Sequence, residues 1–433
     1  MKPVAGAFLG GAASRLLPAS IPFRFFGAAV AYHLLAWLAL LAGADRVTRF
    51  SGGLGWPLAA LHLVTLGVLV MTAIGASLQL LPVATRQPVR STRWPVAVWW
   101  LYTPGVAGVA LGMGLGAPWL LGAGAAAVAL ALLGFAALLA LNLRAARGMA
   151  AVVAHGWAAL GSLLLVLATA LALALGYLGV PVLDRGTALA LHVAFAAYGF
   201  MGLLAFGLSY ILVPMFALAP TPDARRSIAS GGLAVAALLL AALAAFGVAP
   251  VALRIAAIAI GNLAVALHLG LMRGALRNGM RRELGRSITL VHIGWAALVA
   301  SLAVALALVL DAPIGGLAAL FGLTLIGGWL LTFVLGILQR ILPFLASMHA
   351  QRGSRRVPTP SALSAQRPLA VHFGCHLVAL AALVLAIVAD SAPLAALAAG
   401  IGALGAAAFG VFFVVLLQRM RGAAPPSARE PAV

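Results

Sequence analysis

The sequence is poor in negative charge, almost devoid of lysine and has a single cysteine. Asp and Glu number 7 among 433 residues, and charged residues of both signs make up only 8% of the chain, against about 25% in a soluble globular protein. Such a chain cannot cover its own surface in water, and no stretch of it reads as a soluble domain. Cys375 lies inside an apolar run, which excludes an intrachain disulfide framework and a thiolate metal cluster. Asp45, Asp184, Asp223, Glu283, Asp311, Asp390 and Glu430 all fall between apolar runs or in the C-terminal tail. No carboxylate is therefore expected mid-membrane, where it would carry a proton or pair with a cation, and none forms an acid/base pair for hydrolysis. Phosphate-binding loops, nucleophile elbows and the HExxH pattern are missing too. The N-terminal stretch, with Lys2, Arg15 and Arg24, has no short apolar segment followed by a small-residue cleavage site, so no signal peptide is expected.

What the chain has is apolar length. It is 64% hydrophobic, with a mean hydropathy of +1.15. A membrane-crossing helix needs about 20 apolar residues. Twelve stretches meet this, at roughly 23–43, 54–83, 95–116, 119–142, 149–178, 187–217, 228–247, 250–272, 287–310, 314–344, 369–389 and 393–417. The expected fold is all-α, a polytopic membrane bundle.

The formal charge of +20 would suit a nucleic-acid partner if it formed a patch. Its placement argues otherwise. Arginines crowd alternate loops: Arg86, Arg90 and Arg93; Arg144 and Arg147; Arg225 and Arg226; Arg273 to Arg286; Arg352 to Arg367; Arg419 and Arg421. The intervening loops hold Arg46, Arg49, Arg185 and Arg254 and four of the Asp residues. Excess Arg marks the cytoplasmic side. The chain is thus expected in a bacterial inner membrane with both termini cytoplasmic, contacting lipid and no nucleic acid. Residues 1–22 read as a cytoplasmic segment, 23–421 as the transmembrane domain, and the Pro/Ala-rich 422–433 as a disordered tail.

Spans two, six and ten share a pattern. They end GASLQLLPV, GLSYILVPM and GILQRILPF, with Gly75 and Pro82, Gly207 and Pro214, and Gly336 and Pro343 each seven apart. Gly67, Gly199 and Gly328 each stand fifteen residues before the proline. Spans five and nine echo one another in HGWAAL from His155 and HIGWAAL from His292. The spacing predicts three units of four helices, at about 23–148, 149–286 and 287–421, with glycines at close helix approaches.

Histidine is the main polar investment, with His33, His62, His155, His192, His268, His292, His349, His372 and His376. All but His349 fall within the expected spans. Neutral imidazole is a common metal and haem ligand, although a buried His also serves simply to bond a neighbouring helix. By depth, His62 and His192 lie near the outer ends of their spans, His33 nearer the middle, and the others toward the cytoplasm. His372 and His376, four apart on one helix face, form a candidate metal pair. Arg340, beside Gln339, either snorkels to the interface or holds an anion. Trp94, Trp99, Trp100 and Trp119 suit interfacial belts, and GAGAAA at 122–127 suits a packing surface.

Twelve helices in three units, with the stretches HLVTLGVLVMTAIGASLQLLPV (62–83) and HVAFAAYGFMGLLAFGLSYILVPMF (192–216), resemble the catalytic subunits of the haem–copper oxidase superfamily. That group includes cbb3-type oxidases, nitric-oxide reductases and NnrS-like proteins. The resemblance implies haem b as cofactor, with His62 at the position of a low-spin haem ligand and His192 at that of a copper ligand. It admits copper but does not complete a copper site, because span seven has no His. Span ten, with Phe321, Leu323 and Thr324, supplies none of the family's haem ligands either. His62 then takes His33 or His192 as its partner. The implied roles are electron transfer, response to nitric oxide or oxygen, or respiratory assembly, with respiratory or redox proteins as partners. A transporter and a non-catalytic scaffold subunit remain alternative classes, and whether the chain is an enzyme stays open.

Overall fold

The computed structural model describes residues 16–89, 91–281, 283–350 and 358–422. Most of the expected N-terminal segment, all but one residue of the tail, and Arg90, Arg282, Arg352, Arg355 and Arg356 lie outside these. Among the described residues there is no β-strand, and twelve helices are long and apolar enough to span a bilayer. They are α1 (Ser20–Ala42), α2 (Trp56–Ala84), α3 (Arg93–Gly114), α4 (Pro118–Arg144), α5 (Ala150–Tyr177), α6 (Arg185–Ala217), α7 (Ala224–Ala245), α8 (Pro250–Arg277), α9 (Gly285–Val309), α10 (Leu317–Ala350), α11 (Gln366–Val388) and α12 (Ala392–Gly422). An even number of crossings puts both ends of the described chain on one face. The spans lie close to the expected ones, but α10 runs through Pro343 to Ala350 and carries His349, expected outside the spans, in its last turn.

Helices α2, α6 and α10 form the interior and the others surround them. α6 is the most enclosed. Each inner helix packs on the helix before it through the two glycines of the sequence pattern. A Cβ at Gly67 would lie 2.7 Å from the Tyr32 side chain and one at Gly75 3.0 Å from Phe25, both on α1. Gly199 and Gly207 meet Ser162 and His155 of α5 at 2.8 Å, while Gly328 and Gly336 meet Ala297 and Leu290 of α9 at 3.0 and 3.1 Å. The partner residues Phe25 and Tyr32, His155 and Ser162, and Leu290 and Ala297 are themselves seven apart. The three helix pairs thus share one packing register. That register aligns Trp157 with His292, both exposed, and not with Trp295, which is buried. The HGWAAL echo of α5 and α9 is therefore three residues out of step with the packing. Burial of the face toward the inner helix, not the identity of its residues, sets the register.

A second shared feature is a wide, π-helical stretch in each inner helix: Leu63–Val70 in α2, Ala194–Gly202 in α6 and Leu323–Leu331 in α10. A π turn bonds each N–H to the carbonyl five residues back and frequently occurs at functional sites. Side chains take up part of the altered carbonyl pattern. Tyr102 of α3 donates to the Leu66 carbonyl at 3.0 Å, and Thr332 donates to the Gly327 carbonyl at 2.8 Å.

The glycine-rich run of α4 packs as its composition implies. A Cβ at Gly124 would lie 2.4 Å from the Val109 backbone nitrogen, and one at Gly112 would lie 2.3 Å from that of Leu121. Backbone cannot yield as a side-chain tip does, so α3 and α4 touch main chain to main chain. Gly124→Ala is expected to destabilise the protein by about 1–3 kcal/mol, a typical overpacking cost. Gly161→Ala, on open space, should leave stability unchanged or slightly raised. Thermal unfolding of both variants in detergent checks this.

On the face with few arginines, Asp390 joins the loops. It accepts hydrogen bonds from the Arg49 guanidinium and, at 2.6 Å, from Thr48 Oγ1. The Arg49 bonds, then that of Thr48, hold its carboxyl below the ordinary value of 3.8. A lowered carboxylate pKa contributes stability above the ordinary value and loses it as the pH falls through the lowered one. Asp390→Asn should therefore melt below wild type at pH 7, the gap closing as the pH drops below 3.8.

Candidate functional site

The π-helical stretches of α2, α6 and α10 wall a central cavity of about 790 Å³ in the half of the bundle away from the arginine-rich loops. Ligand pockets run from about 300 to 1,000 Å³. The lining is overwhelmingly Ala, Leu, Val and Ile, with His62, Thr65, His192 and Tyr198 as polar groups in its depth and Tyr177, Arg185 and Arg254 toward the loops. Arg185 donates to the Tyr177 hydroxyl at 2.8 Å and lies over its ring. On α10, Phe321 and Leu323 line the same cavity, so the third inner helix contributes apolar side chains where the other two contribute imidazoles.

The structure brings His62 and His192 together. Their ring centres are 6.5 Å apart and their planes differ by 19°. His62 lies just before the π stretch of α2, and its Nδ1 bonds the Leu58 carbonyl one turn earlier at 3.0 Å. His192 lies two residues before the π stretch of α6, with Nδ1 3.5 Å from Thr169 Oγ1 on α5. The backbone of Val166, also on α5, is a further hydrogen-bond partner of the His192 ring. In His62 an Nδ1–H directed at a carbonyl would leave the lone pair on Nε2, as in many ligating histidines. A metal ligated at about 2 Å by both rings from opposite sides sets their centres roughly 6 Å apart, close to the separation of this pair.

His33 is placed elsewhere. Successive helix residues are turned by about 100°, and its neighbour Tyr32 is the residue that meets Gly67 of α2. His33 consequently faces α11 and α12, with its ring centre 5.9 Å from that of His372. His372 and His376 stand 5.6 Å apart, and all three are buried. Depth, all that the sequence supplies, cannot distinguish two faces of one helix.

A third group joins α5, α6 and α8. His268 Nδ1 lies 3.1 Å from the Tyr210 hydroxyl, and its ring stacks on Phe206 at 3.8 Å. His155 packs beside Tyr210, with ring centres 5.3 Å apart, and bonds the Ala151 carbonyl at 2.8 Å. His292 is exposed beside Trp295. Among the described residues, no three His, Cys, Asp or Glu side chains converge to hold a metal ion.

Among the described residues Arg340 has no acidic partner, and its guanidinium is tied to neighbouring helices rather than free. Its guanidinium donates to Ser287 Oγ at 2.9 Å and to the Leu284 carbonyl, and lies 5.8 Å from the Phe216 ring. Trp94, Trp100 and Trp119 are exposed as belt residues should be, whereas Trp99 donates to the Arg24 carbonyl at 3.2 Å and ties α3 to α1. The tyrosines were the missed functional candidates. Tyr198 lines the cavity and bonds Ser301 at 2.9 Å, and Tyr210 holds His268. Their signal was available: the hydroxyl of a Tyr inside an apolar run must find a partner.

No protein-family model matches this chain, and no curated protein matches it either. Fold and site together define a polytopic α-helical membrane protein, in contact with the lipid bilayer, that holds a largely apolar cavity lined by a pair of imidazoles.

The bond from His376 Nε2 to Thr332 Oγ1, at 2.8 Å, gives a further test. Thr332→Val strands a buried imidazole N–H and is expected to cost about 1–3 kcal/mol. Thr332→Ser, which keeps the hydroxyl, should stay within a few tenths. Thermal unfolding in detergent distinguishes the two.

Proposed function

We propose that this chain is a haem-binding integral membrane protein built on the plan of the haem–copper oxidase catalytic subunits, with His62 and His192 as the residues that would hold a haem b in the central cavity. The observation that carries this reading is the pair itself: two nearly parallel imidazoles at 6.5 Å, on the inner helices α2 and α6, both bordering a large apolar chamber. The shared packing register and the three π stretches support descent from three related four-helix units, at about 23–148, 149–286 and 287–421. The arginine-rich loops support a bacterial inner-membrane location with both termini cytoplasmic.

The residues fit the group. Leu58 and Thr169 orient the two rings, and the predominantly aliphatic lining would suit the haem macrocycle. Haem bound in this way supplies a reversible one-electron couple. Held by both His62 and His192, a haem would have no vacant place for oxygen or nitric oxide to bind. Electron transfer to or from a respiratory or redox partner is accordingly favoured over gas reduction.

The test is a reduced-minus-oxidised optical spectrum of the detergent-purified protein with a pyridine haemochrome assay. Wild type should show a b-type signal, and His62→Ala and His192→Ala should each lose it, at least tenfold in haem occupancy, while still melting cooperatively. Colourless wild-type protein from haem-replete cells would overturn the reading and turn attention to transport through the same chamber.

A further inference from the structure

We propose a second site in this protein: His372 Nε2 and His376 Nδ1 bind one Cu(I) ion between α1, α11 and α12. The proposal uses none of the residues assigned to haem and stands apart from that reading.

The hydrogen bonds around the cluster fix the tautomers. Thr332 Oγ1 donates its proton to the Gly327 carbonyl at 2.8 Å. Its oxygen must then accept from His376 Nε2–H, also at 2.8 Å, which leaves the lone pair of that ring on Nδ1. His372 Nδ1 donates to the Gly405 carbonyl at 3.1 Å, leaving the lone pair on Nε2. His33 Nε2 accepts from Trp37 Nε1–H at 3.2 Å, so its proton is on Nδ1. Three ring nitrogens remain: lone pairs on His372 Nε2 and His376 Nδ1, and an N–H on His33. All three are buried and without a hydrogen-bond partner among the described residues.

Orphaned polar atoms are costly inside a membrane. Two lone pairs on one helix face, four residues apart, call for a shared electrophile. Ring centres 5.6 Å apart fall within the range that two nitrogens about 2 Å from one ion allow, roughly 5 to 6 Å. The surroundings select the ion. No third His, Cys, Asp or Glu among the described residues completes the set, whereas Zn(II) takes four ligands and Cu(II) prefers a square-planar set. Cu(I) accepts two imidazoles and brings only one positive charge into a region without carboxylates. The Phe409 ring, 4.9 Å from that of His372, offers that charge an aromatic face. His33 Nδ1–H, being a donor, is not a ligand; its ring closes the site from α1.

The cluster adjoins the central chamber without opening into it. Trp37 and Gly327, the hydrogen-bond anchors at its two ends, both line the cavity.

The experiment is anaerobic Cu(I) titration of the detergent-purified protein against a chromophoric Cu(I) chelator, with X-ray absorption on the loaded sample. Wild type should bind one Cu(I) through two nitrogen ligands. His372→Phe and His376→Phe, which keep an aromatic ring in place, should each weaken binding at least tenfold while melting cooperatively. His62→Ala and His192→Ala should bind Cu(I) as wild type does, whatever their haem content. Should the Phe variants fail to fold, the absorption spectrum of wild type decides alone. Absence of stoichiometric binding, a sulfur ligand, a coordination number of four, or unchanged affinity in the folded Phe variants would each overturn the proposal.

Discussion

Inside a hydrocarbon layer every backbone N–H and C=O must find its partner within the protein. For this chain the requirement is met largely helix by helix, and the π-helical departures from regular α-helix lie in the three inner helices. The three π stretches lie in the three innermost helices, where Tyr102 and Thr332 can reach carbonyls of the widened turns. That same widening bounds the central chamber, so the cavity and the irregular backbone are one feature. A π turn facing lipid would lack such side-chain partners.

Close approach between the inner and outer helices depends on the absence of side chains at six glycines. Water provides no driving force for helix association within the bilayer, so contact area and dispersion must hold the bundle. The seven-residue spacing of the paired glycines puts both on one face, and the facing helix supplies partners at the same spacing. Those partners vary from aromatic to hydroxyl to methyl. Shape complementarity at the main chain is kept while side-chain chemistry is free to differ, which is how His155 comes to occupy in α5 the position of Phe25 in α1 and of Leu290 in α9.

The histidines then sort by the packing. Those next to the chamber, His62 and His192, line it. Those between outer helices are enclosed by Trp, Phe and Thr side chains and fixed in one tautomer. With no carboxylate among the described spans to balance a cation, the polar groups of the interior are neutral donors and acceptors, and neutral ligand atoms suit haem iron and monovalent copper better than they suit hard divalent ions.

Twelve spans, the shared sidedness of the chain ends and the glycine and proline spacings were legible in the sequence. Each follows from one-dimensional physics: about twenty apolar residues cross a bilayer, and a fixed spacing keeps residues on one helix face. Depth was legible as well, and it placed His62 and His192 at one level. What it left open was azimuth. Only the packing of Tyr32 against Gly67 turned His33 toward α11 and away from His62, and only the folded bundle joined His62 to His192 across 130 residues of chain. The π stretches were hidden too, because their hydrogen-bond pattern is chosen by neighbouring helices and leaves no local mark in residues such as LVTLGVLV. The sequence by itself determined which segments enter the membrane. The tertiary structure decided which faces meet, because rotation about a helix axis is set by the surfaces it packs against.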